Sequence, residues 1–284
     1  MKSVLVAGAS GVLGLNVIKK LKNFDYQVVG QIYSKNKRAD VESYCDKVVV
    51  ADLTKPSDLS GICEEVDIVL STVGKSISLF THNPLSFVEL DFKGNLNLLE
   101  EAKRSGVRRF VYVSIFGSET SPKLRQGWAQ EMFAQNVMHY FPSHTIVKPV
   151  GIFSGLNDLL IMGQSGLVMT PGDGTPVTNP IHPRDLADFC IRHLEDGPKV
   201  ANVGGPEVHS RNQVAQKVCK VTRCLAPVNI PLWLVRPGLA LIKLLSQNFY
   251  DKLNYLTFVT THDMVAPKYG SLTFEDYLRE EGYL

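Results

Sequence analysis

A short apolar run near the start of the chain, Lys2 to Ala7, leads directly into a loop with three glycines. The loop consists of Gly8, Ala9, Ser10, Gly11, Val12, Leu13 and Gly14. Because glycine has no Cβ atom, such a backbone can turn tightly and approach a pyrophosphate, and a following helix presents its N–H donors to the anion. The strand, loop and helical pattern together predict a phosphate site. The alternative is a tight turn that only packs the helix closely.

Strands alternate with helices along the first half of the chain. Apolar runs predict further strands at Tyr26 to Tyr33, Lys47 to Ala51, Asp67 to Thr72, Arg109 to Ser114 and around Thr145 to Val147. Longer helical patterns lie at Leu85 to Ser105 and Gln126 to Tyr140. Alternation of this kind indicates βαβ units. We therefore predict an α/β fold with a doubly wound parallel sheet of the Rossmann type over residues 1–150.

The pattern changes after Pro149. The stretch from Gly151 to Pro183 is rich in Gly, Pro, Ser and Thr, which predicts turns. A helix at Pro183 to Leu194, a strand at Val200 to Val203 and a helix at Arg211 to Val221 follow. We interpret residues 151–284 as a small C-terminal α/β cap region that contacts substrate and is interleaved with the core as one structural unit.

Composition excludes several classes of protein. Of the 284 residues 44% are hydrophobic, and 30 basic side chains against 28 acidic ones give a net charge of +2. This balance does not favour nucleic acid as a partner. The five cysteines form no Cys-x-x-Cys pair, so we expect neither a disulfide framework nor a metal site, and we expect a reducing, cytoplasmic location.

The end of the second predicted strand bears on which nicotinamide cofactor fits. In dinucleotide-binding folds an acidic residue about 20 residues after the glycines binds the adenosine ribose and marks NAD. Here that point reads Gln31 to Ser34, and no acidic residue follows before Asp40. Ser34, Lys35 and Arg38 supply a hydroxyl and cations that suit a 2′-phosphate. We therefore predict NADP(H), with a solvated basic loop as the alternative.

The glycine loop and several later segments, in this order, resemble the extended and atypical short-chain dehydrogenases/reductases. The similarity is nearest to the NmrA-like group, with its isoflavone-reductase-like and divinyl-chlorophyllide-reductase-like enzymes. The later segments are Asp91 to Ala102, Gly106 to Ser114, Thr145 to Pro149, Ile181 to Ala187 and Asn202 to Glu207. The resemblance implies cofactor contacts from Asp52 and Leu53, from Ser71, Thr72, Val73 and Gly74, and from Lys148 and Pro149.

Ordinary members of this superfamily carry a Tyr-x-x-x-Lys pair on the helix after the fifth strand, where the lysine lowers the pKa of a proton-exchanging tyrosine. The helix here contains neither residue before Tyr140, and Tyr33 with Lys37 lies in the adenosine region. Two kinds of protein remain. One is an NADP(H)-dependent oxidoreductase of a small apolar metabolite with another proton source. The other is a non-catalytic NADP(H)-binding regulator or assembly protein.

Few side chains are candidates to replace the missing pair. Ser114, at the end of the fifth strand, is the residue we predict to be catalytic, as a hydrogen-bond donor to a substrate carbonyl. A serine satisfied by backbone is the alternative. Lys123 and Glu131 are expected to be exposed charges, and His182 a structural histidine. Ser118 and Glu119 read as a loop turn.

The most hydrophobic stretch is Ile230 to Leu245. Arg236, Pro237 and Lys243 interrupt it, so it is a poor membrane span, and Pro237 is expected to break or kink a helix. Three interpretations remain open: a lid over an apolar substrate pocket, ordinary core or dimer packing, and an interfacial helix in peripheral contact with a membrane. The oligomeric state is open.

Overall fold

The apolar runs of the sequence become the strands of three sheets. The computed structural model describes residues 1–121 and 123–284. The strands are β1 (Lys2–Ala7), β2 (Tyr26–Ile32), β3 (Lys47–Val50), β4 (Ile68–Ser71), β5 (Arg109–Val113), β6 (His144–Pro149), β7 (Met169–Pro171), β8 (Val177–Thr178), β9 (Val200–Val203), β10 (His209–Ser210) and β11 (Val228–Ile230). The largest sheet has the order β3-β2-β1-β4-β5-β6-β9.

The neighbours from β3 through β6 pair in parallel. The strand order reverses beside β1, because the chain first moves outward to β3 and then returns to continue from β4. This is the doubly wound arrangement. The predicted Rossmann-type α/β fold is confirmed, and two small sheets, β8 with β10 and β7 with β11, accompany the large one.

Helices connect and cover the strands. They are α1 (Val12–Leu21), α2 (Arg38–Val41), α3 (Asn95–Arg104), α4 (Arg125–Tyr140), α5 (Asn157–Gln164), α6 (Pro183–Arg192), α7 (Arg211–Thr222), α8 (Leu232–Leu245), α9 (Gln247–Thr261) and α10 (Phe274–Glu280). A π-helical segment, Val88–Gly94, runs directly into α3. None of the described helices is long and apolar enough to cross a membrane.

The chain forms two compact units. The first comprises Met1–Lys75, Leu85–Pro149 and Pro183–Asn202, and the second Ser76–Pro84, Val150–His182 and Val203–Leu284. In the first unit, side chains of the central strands are buried, as expected for a parallel sheet covered on both faces. Phe133 of α4 packs edge-on against Tyr112 of β5, with ring centroids 4.6 Å apart at 89°.

A buried arginine ties α6 to the sheet in the first unit. The guanidinium of Arg109, at the start of β5, donates to the carbonyl oxygens of His193 (2.9 Å) and Leu194 (2.7 Å) beyond the end of α6. It also donates to the hydroxyls of Thr145 (2.7 Å) and Ser143 (3.1 Å). Four acceptors offset the cost of burying this cation.

The second unit has its own core, built from α5, α7, α10 and the turn before α5. Phe153, Phe274 and Tyr277 pack together there, and the imidazole of His182 lies edge-on to Phe153 and Tyr277. His182 is almost fully buried among these rings and its Nε2 lies 3.4 Å from a carboxylate oxygen of Glu280. The expected structural histidine is confirmed.

Several elements of the second unit differ from the sequence-based predictions. The stretch Gly151 to Pro183 contains α5, β7 and β8 as well as turns, and α9 and α10 had no predicted counterpart. The helix α8 continues through Pro237 instead of breaking there. Glycine, proline and a weak apolar periodicity mask short elements in the sequence, whereas packing against a common core stabilises them.

The contact between Gly14 and Gly8 is the tightest point of the first unit that a mutation can probe. A Cβ atom on Gly14 would lie 2.1 Å from the carbonyl oxygen of Gly8, which is backbone and cannot rotate away. We expect Gly14→Ala to lower the free energy of unfolding by about 1–3 kcal/mol, the usual cost of overpacking, as measured by chemical denaturation. The control is Gly238→Ala, because a Cβ atom there would meet nothing within 4 Å beyond its chain neighbours and the backbone of its own helix. Equal stability of the two variants would contradict the prediction.

Candidate functional site

The glycine loop lies at the carboxyl end of β1, beside the point where the strand order reverses. Gly8 adopts φ +79°, a left-handed conformation that favours glycine. The N–H of Gly11 donates to the carbonyl of Gly8 (2.9 Å), which closes the turn before α1. Gly14 then allows the first turn of α1 to rest on the Gly8 backbone. Ala9 and Leu13 are buried, Ser10 is half-buried, and Gly11 and Val12 are exposed.

Donors of the first turn of α1 are available to an anion. The first N–H groups of any helix have no intrahelical acceptor. Gly11 occupies the N-cap position and, within the described chain, no side chain caps it. The first turn also contains no acidic residue to repel an anion. Gly14 would not accept a Cβ atom, and the loop around it fits a pyrophosphate by geometry and charge.

Gln31, the residue at the end of β2 where an acid was sought, supports the loop instead. Its side-chain oxygen accepts from the N–H of Gly8 (3.0 Å), and its amide nitrogen donates to the carbonyl of Ala51 (2.7 Å). The backbone carbonyl of Gln31 accepts from Ala9. Gln31 therefore fixes the loop and links β2 to β3. Sequence reasoning missed this role, because only the register of β2 against β1 brings the side chain to the loop.

The basic segment after β2 forms a helical turn that runs into α2. The hydroxyl of Ser34 accepts from the N–H of Asn36 (3.3 Å) and caps this turn. Arg38 lies 3.6 Å from Glu42, so its charge is partly neutralised. Lys35 is exposed and has no ion pair among the residues that the structure describes. Ser34, Lys35 and Arg38 thus lie on one turn next to the end of β2.

Asp52 and Leu53 follow β3 and differ in their surroundings. The carboxylate of Asp52 accepts from the N–H (3.0 Å) and the hydroxyl (2.7 Å) of Thr54, which stabilises a local turn. Leu53 is buried in the core of the first unit, and its carbonyl accepts from Asn97 (2.8 Å). The side chain of Leu53 therefore packs in the core, and Asp52 places its carboxylate on the turn that follows β3.

The loop after β4 lies against the glycine loop. A Cβ atom on Gly8 would lie 3.0 Å from Thr72 Oγ1 and 3.1 Å from Val73 Cγ2. Thr72 donates to the carbonyl of Ala7 (2.9 Å), and Ser71 bonds Asn95 (2.6 Å). Ser71, Thr72, Val73 and Gly74 are thus held beside the loop by backbone and buried side-chain bonds. The structure brings these two predicted segments together.

A chain of buried polar groups begins just beyond this loop. Asp91 accepts from the N–H of Lys75 (2.7 Å) and from the side-chain amide of Gln130 (2.8 Å). The oxygen of that amide accepts from the hydroxyl of Tyr112. Burial raises the pKa of Asp91 to about 7, although the two hydrogen bonds oppose the shift. Burial also raises the pKa of Tyr112 well above its ordinary value, so this phenol is a poor proton donor.

Two buried glutamines lie on α4, the helix on which ordinary short-chain reductases carry the acid–base pair. Gln126 and Gln130, four residues apart on α4, are both buried. Gln130 is committed to Asp91 and Tyr112, and the side-chain oxygen of Gln126 has no hydrogen-bond partner within the described residues. Neither amide exchanges protons near neutral pH. The site therefore differs chemically from that of ordinary short-chain reductases.

Ser114 and Lys148 lie next to each other at the carboxyl edge of the sheet. Val113 of β5 is paired with Val147 of β6, and the N–H of Ser114 donates to the carbonyl of Val147 (2.8 Å). The Ser114 hydroxyl is buried close to the phenol of Tyr112, and it forms no hydrogen bond of good geometry in residues 1–121 and 123–284. The expectation of a serine satisfied by backbone therefore holds for its N–H but not for its hydroxyl.

The ammonium group of Lys148 lies between two carboxylates. It donates to Glu119 (2.7 Å) and Glu131 (2.9 Å), and Glu131 also accepts from the hydroxyl of Ser118 (2.7 Å). Burial alone would lower the pKa of Lys148, but the bonds to both glutamates raise it above its ordinary value. Lys148 is therefore permanently charged. Its positive charge is already shared by two anions of this protein.

This cluster corrects two sequence-based expectations. Glu131 was expected to be an exposed helix charge, yet its side chain is only 18% exposed because Lys148 draws it inward. Ser118 and Glu119, interpreted as an uninformative turn, supply two partners of the cluster. The sequence held one signal for this cluster, which is Lys148 inside the otherwise apolar strand β6. A buried cation requires a nearby anion, so this lysine could have indicated that a carboxylate folds against it. Lys123 is exposed as expected, and Pro149 ends β6 in a buried position.

No group of three or more His, Cys, Asp or Glu residues that could hold a metal ion occurs in the described ranges. The five cysteines are all free thiols, and Cys63 and Cys190 are buried. The polar groups described near the carboxyl edge of the first unit include the glycine loop, the basic turn, the buried chain from Asp91 through Gln130 to Tyr112, Ser114 and the Lys148 cluster.

Comparisons with known proteins agree with this geometry. The chain is 27% identical over 229 residues to the Photosystem II assembly factor Ycf39 of Synechocystis sp., which covers 77% of this chain and 66% of that protein. It is 23% identical over 242 residues to the mitochondrial NADH-ubiquinone oxidoreductase 40 kDa subunit of Neurospora crassa, covering 82% and 64% of the two chains. The chain thus spans less than two-thirds of the length of these relatives.

A solved structure shares the fold over almost its whole length. The NADPH-dependent quinone oxidoreductase QOR2 of Escherichia coli, in complex with NADPH, superposes with a TM-score of 0.71 at 16% identity, covering 98% of this chain and 99% of that one. The predicted fold of the atypical short-chain dehydrogenases/reductases is confirmed. Residues 8–197, which include the glycine loop, match one protein family. By this match the chain belongs to the NAD(P)H-binding family.

Proposed function

We propose that the chain is an NADP(H)-dependent oxidoreductase that reduces a small apolar acceptor, one whose reduction does not require a positioned tyrosine. The observation that carries this proposal is the buried hydroxyl of Ser114 at the carboxyl edge of β5, which forms no hydrogen bond of good geometry within the described residues. A buried hydroxyl without a partner costs free energy, and a bound molecule with a carbonyl oxygen would remove that cost. Such a ligand lies at the edge where nucleotides bind in doubly wound sheets.

The residues of the first unit divide the binding of the cofactor among them. The first turn of α1 holds the pyrophosphate, and Ser34, Lys35 and Arg38 hold a 2′-phosphate. Lys35 carries most of this preference, because Arg38 is already 3.6 Å from Glu42. When bound, the nicotinamide supplies the hydride. The chain itself supplies orientation and a hydrogen bond from Ser114 to the acceptor oxygen.

The proton source limits which acceptors are suitable. Tyr112 has a strongly raised pKa, and Lys148 is held by two glutamates, so neither donates a proton near neutral pH. Quinones and enones need no positioned acid. A quinone that takes up a hydride, with its two electrons, becomes a hydroquinone anion, which then takes its proton from water. The fold shared with a quinone oxidoreductase supports this acceptor class.

A second candidate function is nucleotide-dependent assembly or regulation of a larger complex without turnover. The likeness to Ycf39, a photosystem II assembly factor, and to the 40 kDa subunit of NADH-ubiquinone oxidoreductase favours it. The buried glutamines of α4 also favour it, because a protein that only binds the nucleotide needs no proton donor. The two candidates share cofactor binding and differ in whether the cofactor is consumed.

The preference for NADPH tests the basic turn. We expect Lys35→Ala to weaken NADPH binding by about tenfold, since a charge-assisted bond to a phosphate is lost, and to leave NADH binding unchanged. Arg38→Ala should have a smaller effect. Titration of nucleotide fluorescence or isothermal calorimetry measures both. Lys47→Ala is the matched control, because this exposed lysine begins β3, whereas the basic turn follows the carboxyl end of the parallel strand β2. Wild-type protein that binds NADH as tightly as NADPH would remove the preference.

The acceptor class is tested by following NADPH oxidation with menadione, an enone and a simple ketone. We expect turnover with the first two and none with the ketone. Ser114→Ala should lower kcat by about two- to tenfold, the worth of one neutral hydrogen bond, and leave the Kd for NADPH unchanged. Ser105→Ala, at the end of α3, is the control. Tight NADPH binding with no oxidation by any acceptor would instead favour the assembly role.

A further inference from the structure

The helix α8 is apolar on a side that faces solvent. All of its side chains are exposed or half-buried. The indole of Trp233 is 71% exposed, and Leu244 and Leu245 are 83% and 79% exposed. Leu234 and Leu241 are also exposed. Soluble proteins rarely present so many large apolar side chains on one short element without a partner.

These exposed side chains share one face of the helix. At 100° per residue, Trp233, Leu234, Leu241, Leu244 and Leu245 fall within about one-third of the helix circumference. Val235, Leu239 and Ile242 lie on the opposite side and are half-buried. The helix thus packs with one apolar side and presents a second to solvent. We call the solvent-facing five residues the outer face of α8.

The segment of sequence that contains α8 carries ionised side chains of a single sign, although one of them, Lys217, is paired with Glu275. Between Glu207 and Asp251 the sequence contains six basic side chains and no acidic one, although the whole chain has a net charge of only +2. Two of the six, Arg236 and Lys243, are on α8 and are exposed. Both project from one flank of the helix, between the outer face and the side that packs on the chain. An apolar face with cations at its boundary is electrostatically complementary to an anionic lipid surface.

We propose that the outer face of α8 docks on the surface of an anionic lipid bilayer, with the helix lying in the plane of the interface. The helix has 14 residues and is therefore about 21 Å long, too short to cross a bilayer but sufficient to lie along it. Tryptophan favours the headgroup level, and leucine the acyl boundary beneath it. A protein interface of this size would require acidic partners for Arg236 and Lys243, which lipid headgroups supply in any orientation.

This docking is independent of the proposed enzyme activity, because it uses only residues of the second unit. If both proposals hold, a lipid-soluble acceptor reaches the protein from the membrane. The docking experiment below measures lipid binding alone and needs no cofactor. Failure of one proposal therefore leaves the other intact.

The test is co-sedimentation with vesicles of phosphatidylcholine alone and of phosphatidylcholine mixed with phosphatidylglycerol. We expect the wild-type protein to pellet with the mixed vesicles and to be released by high salt. Leu244→Gln should lower the partition coefficient at least about tenfold, since one buried leucine is lost. Leu284→Gln removes an exposed leucine elsewhere and should change nothing.

The contribution of the two cations of α8 to vesicle binding is tested by a double variant and a control double variant. Replacing Arg236 and Lys243 by Gln should weaken binding to mixed vesicles about tenfold or more and leave the low partitioning to phosphatidylcholine unchanged. Replacing Lys47 and Lys268, two exposed lysines elsewhere, by Gln is the control. Circular dichroism and thermal melts verify that every variant is folded.

A spectroscopic readout reports on the helix directly. In a Trp128→Phe background Trp233 is the remaining tryptophan. Its emission should shift to shorter wavelength with mixed vesicles. The proposal is overturned if the protein does not pellet with mixed vesicles, or if Leu244→Gln pellets like wild type. It is also overturned if light scattering shows a dimer that Leu244→Gln dissociates, because the face would then bind a second copy.

Discussion

The approach of α1 to the end of β1 determines the geometry on which the cofactor site depends. Gly14 rests on the carbonyl oxygen of Gly8 at a distance that no Cβ atom could tolerate. This contact directs the N-terminus of α1 toward the carboxyl edge of the sheet, where its free N–H groups meet a phosphate. Gln31 holds the same loop from the β2 side, and Thr72 borders it from the β4 side. Three neighbouring strands therefore converge on one turn.

At the other strands of this edge, most polar side chains are already bound to one another and are not available to exchange protons with a substrate. The ammonium group of Lys148 is bound by the carboxylates of Glu119 and Glu131. Gln130, on the helix that carries the acid–base pair in ordinary members, joins Asp91 to Tyr112. Both arrangements are closed networks in which buried polar groups satisfy one another. Within the described residues, the hydroxyl of Ser114 and the side-chain oxygen of Gln126 remain without a hydrogen bond of good geometry. A site with so little proton chemistry suits either an acceptor that is protonated by water or a nucleotide that is bound and not consumed.

The helix α8 bears on where the protein would act, because one of its apolar sides faces solvent. Its two apolar sides cannot both be explained by packing within the chain, since only Val235, Leu239 and Ile242 turn toward it. The two exposed cations of α8, Arg236 and Lys243, suit an anionic surface. A lipid-soluble acceptor would be encountered at such a surface.

The sequence by itself determined the Rossmann-type sheet, the glycine loop and the absence of a Tyr-x-x-x-Lys pair on α4, because strand periodicity and glycine chemistry are local properties. It did not reveal α5, α9 and α10, whose local signals are weak without the core they pack on. The role of Gln31 and the pairing of Lys148 with Glu119 and Glu131 join residues between 17 and 29 positions apart. Only the tertiary structure decided these, because strand register and helix packing bring the partners together. Likewise, the sequence showed that the segment Ile230 to Leu245 is apolar, and only the fold decided which of its sides is left to solvent.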